Sequence, residues 1–175
     1  MKGKPPESSY PQREAVLWAL QELTGKDVGA AFDDWVKLFP RAELDVEAAR
    51  LSAKLTKVKG AKQTQLLTQY KDQEGVVYTQ ALAGAIPNLK GKTQQQARQL
   101  LAERLSRMTA DTLRGRFKDD DSEIRRAAAA ACALKTKDDL VPDLLELLED
   151  AEPPVVEAAQ DALQRLTGRE VGAGG

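Results

Sequence analysis

The sequence predicts an all-α chain, a short α-solenoid of antiparallel helix pairs repeating about every 31 residues. An internal repeat is the first sign. Shifted by 31, Ile124 falls on Val155, Ala127 and Ala128 on Ala158 and Ala159, Ala131 on Ala162 and Cys132 on Leu163. The same shift carries Leu144 to Leu113 and Leu82, Leu148 to Phe117 and Ile86, and Asp150 to Asp119 and Asn88. Periodicity is the second sign. Apolar residues stand three or four apart, as in Ala97, Leu101, Leu105 and Met108, so each helix offers one stripe to a stack. A unit of one Ala-rich and one Leu-rich helix cannot bury that stripe alone and must pack on its neighbours. Composition is the third sign: aromatics are 5% of residues, while runs of Val, Ile and Thr, the mark of strands, are missing.

In chain order, residues 1–11 are polar and proline-bearing and read as a flexible lead-in. Pro11 suits a first helical turn, and the helix it opens is closed by Gly25 as a left-handed cap. Its sequence EAVLWALQELTGKDVGA from Glu14 returns as EAAQDALQRLTGREVGA from Glu157. Leu17 and Trp18 take the places of Gln160 and Asp161, so a cover is expected over that flank of the first copy. The expected cover is a capping helix, AAFDDWVKLF, with Phe32, Trp35, Val36 and Phe39 on one stripe. It should end before Pro40.

A third helix is read through Leu44, Ala48, Leu51, Leu55 and Val58, closed by Gly60, and a weaker one follows as far as Gly75. Residues 41–75 form a degenerate unit with Lys54, Lys57, Lys59 and Lys62 on its surface, and 76–172 hold the regular repeats. Thr93, Thr109 and Asp121 are read as N-caps, Thr93 with Gln96 at the capping-box position. The whole of 12–172 reads as a single helical-repeat domain (12–40 the first helix and its cap), with 173–175 as a flexible tail.

The segments DDDSEIRRAAAAACALKTKDDLVPDLLELLED and AEPPVVEAAQDALQRLTG resemble HEAT repeats, and LTGKDVG followed by a Trp-bearing helix is similar to a bacterial HEAT subgroup. The resemblance implies a right-handed stack whose second helices form a concave face. The chain departs from the family pattern by carrying its conserved-position arginine only at Arg125, with Gln94 and Val156 in the neighbouring units. A continuous Arg/Asp ladder between units is therefore not expected.

The chain has no histidine, which removes imidazole bases and most transition-metal sites, and with them the HEAT-like hydroxylases that hold iron by His–Glu pairs. No Gly-rich phosphate loop is present. Asp119, Asp120 and Asp121 read as a capping turn rather than an acid–base site. The single Cys132 sits on a shared core position and reads as core. A HEAT-like glycosylase or lyase would need an aromatic, acidic pocket, whereas both tryptophans lie near the N-terminus. No enzyme activity, cofactor or metal is expected.

The net charge of −1 gives no global pull towards nucleic acid or membrane. No apolar run reaches membrane-spanning length and no signal peptide is visible, so the default expectation is cytoplasmic. Charge is nonetheless uneven. Residues 138–161 hold nine acids and no Lys or Arg, while 98–126 hold eight basic residues. Placed by the repeat, Lys118 and Glu149 share one row of the second helices, and Gly115 and Glu146 another. A face built from Arg114, Lys118, Glu146 and Glu149 is thus the candidate partner-binding surface. The partner expected is another protein or another domain of a longer chain. Nucleic acid along 54–62 and 98–126 is the second choice.

Overall fold

Pro11 stands in the first turn of α1 (Pro11–Thr24), where its missing N–H leaves no intrahelical bond unmade. The computed structural model describes residues 11–26, 35, 40–135 and 138–168. Among the described residues eight further α-helices have defined bounds: α2 (Pro40–Lys57), α3 (Ala61–Asp72), α4 (Val76–Ala85), α5 (Gly91–Leu105), α6 (Ala110–Arg116), α7 (Ser122–Lys135), α8 (Val141–Glu146) and α9 (Pro153–Thr167). The described residues contain no strand. The chain divides into two compact units, Met1–Leu44 and Asp45–Gly175.

In the first unit, α1 ends as its sequence demands. Gly25 adopts φ 65°, its N–H donates to the Gln21 carbonyl at 2.8 Å, and the Thr24 hydroxyl donates to the Leu20 carbonyl at 2.7 Å. On the flank expected to be covered, Trp18 is 45% exposed and Leu17 half-buried. Of the expected Trp-bearing capping helix, only Trp35 falls within the described residues, where it is helical and buried.

The second unit is the solenoid. Helices α5, α7 and α9 begin at Gly91, Ser122 and Pro153, 31 residues apart, and α4, α6 and α8 alternate with them. Ala97, Ala128 and Ala159 are fully buried, as are Leu82, Leu113 and Leu144. Leu101, Cys132 and Leu163 share the next layer and are buried too. Alanine on the first helices lets their axes approach closely, and leucine on the second helices fills the space that remains. The repeat register read from sequence is therefore the register of the core.

Two local readings need correction. Helix α5 starts at Gly91, not after Thr93: the backbone turns at Gly91 with φ 54°, and no side chain caps the helix. Thr93 consequently lies inside the first turn. Helix α2 starts at Pro40, and Leu44 and Val46 are 41% and 50% exposed, so its buried stripe begins only at Ala48. The other two caps stand as read. Thr109 Oγ1 accepts from the Thr112 N–H at 3.3 Å, and Asp121 Oδ1 accepts from the Glu123 N–H at 2.8 Å. Burial raises the pKa of the Asp121 carboxyl, while the backbone N–H groups of Glu123 and Ile124 that donate to it pull it the other way.

Polar side chains tie the helices where apolar stripes end. Gln63, buried, donates from Nε2 to the Leu55 carbonyl at 2.8 Å and so satisfies one of the last carbonyls of α2. Arg104 plays a larger part. It donates to the carbonyls of Tyr70, Lys71, Gln73 and Gly75 and to the Thr79 hydroxyl, closing the α3–α4 turn from the next unit. Its burial draws the guanidinium pKa below its ordinary value. One repeat later Lys135 does the same for the α5–α6 turn, donating to Ser106 and Met108 carbonyls at 2.9 and 2.7 Å.

Candidate functional site

The second helices bring three of the four residues read as partner-binding to one place. Arg114, Lys118 and Glu146 line a shallow depression of about 430 Å³ between α6 and α8, with Phe117 and Leu147 beneath. Glu149 does not line it; it is exposed at the far end of the 3-10 turn that continues α8.

The three differ in freedom. Arg114 is clamped, with Nε donating to Asp143 at 3.1 Å, Nη1 to Asp111 at 2.8 Å and Nη2 to the Asp139 carbonyl at 3.1 Å. The hydrogen bond that Arg114 donates to Asp143, and the charge of that carboxylate, raise the pKa of this guanidinium. Lys118 and Glu146 are exposed, and neither forms an ion pair among the described residues. The depression thus offers a free cation and a free anion on either side of an arginine whose charge is already answered.

Most of the basic stretch is occupied in the same way. Arg107 pairs with Asp72 at 2.7 Å and Arg116 with Asp119 at 3.1 Å. Arg125 makes a two-pronged pair with Asp150, Nε to Oδ2 at 2.7 Å and Nη2 to Oδ1 at 3.0 Å, and also holds the Asp119 and Asp120 carbonyls. That pair is the one rung of the family ladder that Arg125 predicts, and Gln94 in the preceding unit instead donates to the Ile86 carbonyl at 3.0 Å. Arg98 and Arg126 both bind Glu123. Of the eight basic residues in 98–126, only Lys118 lacks a partner in the described residues, whereas Lys54, Lys57, Lys59 and Lys62 are exposed.

Two features lie outside the apolar positions from which the repeat is read. Arg104 and Lys135 are 31 residues apart, so the shift that aligned the apolar core also aligns these two carbonyl-binding cations; that signal was present but lay outside the apolar positions. The Arg98–Glu123–Arg126 cluster has no counterpart in the other units, and no periodic signal could have found it. Cys132 is buried, its thiol pushed up to about 12 by loss of hydration, and it donates to the Ala128 carbonyl at 3.2 Å as a core residue would.

No described helix is long and apolar enough to cross a membrane, and the described residues hold no group of metal-ligating side chains. Stacked helix pairs in a common register define a helical-repeat protein of the α-solenoid class. The particular family follows from comparison. Residues 79–164 match the family model for HEAT repeats, and the chain carries a HEAT-repeat domain. HEAT repeats generally serve protein–protein interaction and scaffolding, and the family is generally non-enzymatic. No curated protein and no solved structure matches the chain.

Proposed function

We propose that this chain is a non-enzymatic interaction module that receives another protein, or another domain of a longer chain, on the second-helix side at the α6–α8 depression. The carrying observation is the grouping of Arg114, Lys118 and Glu146 around one hollow in which only the latter two remain unpaired. A polar rim of both signs around apolar side chains is what a specific but separable interface requires. Glu149, beyond the end of α8, adds a further exposed acid outside the depression. The reading takes 12–172 as one helical-repeat domain between a lead-in of 1–11 and a tail of 173–175.

Nucleic acid is the less favoured ligand for a physical reason. Phosphate binding needs cations free to release counterions, and in 98–126 those side chains are tied to carboxylates and carbonyls.

The test is a capture experiment with cross-linking mass spectrometry, run with nuclease, on the wild type and a Lys118→Glu, Glu146→Lys, Glu149→Lys variant. Cross-links from one protein to α6 and α8, lost in the variant, are the expected result. Capture that survives the triple charge reversal would place the interface elsewhere. Strong, salt-sensitive retention on heparin would favour nucleic acid along Lys54–Lys62 instead.

A further inference from the structure

On the opposite side of the stack, between the first helices, lies a groove of about 200 Å³. It opens into a wider hollow over α5 and α7 of about 630 Å³, and both share Arg98, Arg126, Asp161 and Arg165. The floor is an unbalanced charge cluster. Glu123, a buried acid, accepts from Arg126 Nε at 2.9 Å and from Arg98 through both Nε and Nη2. One carboxylate therefore answers two guanidinium groups. Arg126 is left with a side chain only 14% exposed and a buried Nη2 that has no hydrogen-bond partner.

A buried N–H donor without an acceptor is costly, and more so on a charged group, so an acceptor with negative charge is the natural complement. Arg165, exposed on α9 and in no ion pair among the described residues, stands on the same wall as a third cation. Beside it on α9, Glu157 and Asp161 put two unpaired carboxylates on the rim. Ala130, Ala133 and Ala158 line the intervening surface and leave room for an aliphatic stem. The groove thus combines a cationic base, a small apolar wall and an anionic edge.

We propose that this groove receives a single carboxylate side chain, an Asp or Glu of a protein segment with Lys or Arg on either side of it. The carboxylate would meet the exposed Arg165 and, through a small rotation of the Arg126 side chain that uncovers it, the buried Nη2, and the flanking basic residues would meet Glu157 and Asp161. Several features favour a side chain over a nucleic-acid strand. The inner groove is too small for a nucleotide, and a polyanion would bring further phosphates against the rim carboxylates. Guanidinium groups also match a carboxylate in two-pronged geometry. This site lies on the helix set opposite to the α6–α8 depression and does not depend on it.

The measurement is nuclear magnetic resonance of the arginine side-chain Nε–H signals of the full chain, titrated with the peptide acetyl-Lys-Ala-Glu-Ala-Lys-amide. Its glutamine counterpart and a short oligothymidylate form the parallel arms. The glutamate peptide should shift the Arg126 and Arg165 signals, and the glutamine peptide should bind at least about tenfold more weakly. Arg126→Met, which keeps the aliphatic stem, should abolish the response while leaving the melting temperature near the wild-type value. Should that variant fail to fold, Asp161→Lys on the exposed rim decides: it should weaken the lysine-flanked peptide several-fold. No shift at millimolar peptide overturns the proposal, as does an equal effect of the glutamine peptide or an unchanged affinity in Asp161→Lys. Oligothymidylate shifting the same arginines at lower concentration than the peptide would assign the groove to phosphate and overturn it equally.

Discussion

Helices α1 and α9 are near copies in sequence and opposites in burial. Counted from Glu14 and Glu157, Val16 corresponds to Ala159, Trp18 to Asp161 and Leu20 to Leu163. Both end in the same way: Gly168 repeats the φ of 65° seen at Gly25, its N–H donates to Gln164 at 2.9 Å, and Thr167 donates to the Leu163 carbonyl at 2.7 Å. Yet Ala159 is fully buried and Val16 is 59% exposed, while Leu23 at the end of α1 is 84% exposed. Local sequence therefore decides that a helix forms and where it stops. Burial is decided by the stripe that a neighbouring helix presents to it, which for α9 is the alanine face of α7.

Aspartate at the two matched positions should break the symmetry most visibly. Ala159→Asp puts an unpaired charge into the α7–α9 layer and should lower stability by about 4 kcal/mol, enough to lose the cooperative transition of the last units. Val16→Asp should change it by less than about 0.5 kcal/mol. Chemical denaturation followed by circular dichroism reads both. Similar costs at the two positions would mean that α1 is buried in solution as α9 is, and that the comparison fails.

The next effect concerns the polar tie between α7 and the end of the α8 segment. Arg125 holds the Asp150 carboxyl below the usual carboxylate range, chiefly by their hydrogen bond, with both side chains largely buried. A depressed carboxyl pKa contributes stability that is present above its unfolded value of about 3.9 and is lost as pH falls through the folded value. Asp150→Asn should thus cost about 2 kcal/mol at pH 7, and the variant and wild-type curves should converge in acid. A difference that stays constant down to pH 2 would show that the contribution is packing rather than charge.

The sequence and the structure agree where the repeat supplies several independent positions. The layers Ala97–Ala128–Ala159 and Leu82–Leu113–Leu144 are legible because a 31-residue shift must match size and polarity at once, and few wrong shifts do so. The caps at Gly25, Thr109 and Asp121 are legible because each needs one residue type at one place. Thr93 misleads for the same local reason: a good capping residue is outvoted when a glycine two residues earlier takes the left-handed turn. Leu44 misleads because periodicity marks a face without saying whether anything covers it. Of the candidate partner-binding residues, the row spacing sets Lys118 with Glu149 and Gly115 with Glu146, whereas the depression is lined by Lys118, Gly115 and Glu146 without Glu149. It does not tell that Asp143 holds Arg114, since pairing depends on side-chain reach across units. The Glu123 cluster lay beyond sequence reasoning altogether, for a buried acid looks like any other until two arginines are seen around it.

The smallest effect tests the half of the comparison in which the two helices are alike. A Cβ at Gly25 or at Gly168 would meet no atom within 4 Å, so alanine at either is opposed only by its backbone conformation. At φ 65° that strain is about 1 kcal/mol, and it should be the same at both ends because it belongs to the residue and not to its neighbours. Native-state amide exchange of the last-turn N–H groups reads each site separately, as a fall in protection of roughly fivefold at Gly25→Ala and at Gly168→Ala alike. Equal losses beside unequal aspartate costs would separate local from tertiary contributions in two copies of one helix. A markedly larger loss at Gly168 would mean that packing on α7 tightens the cap itself, and that the local geometry of α9 is not set by its sequence alone.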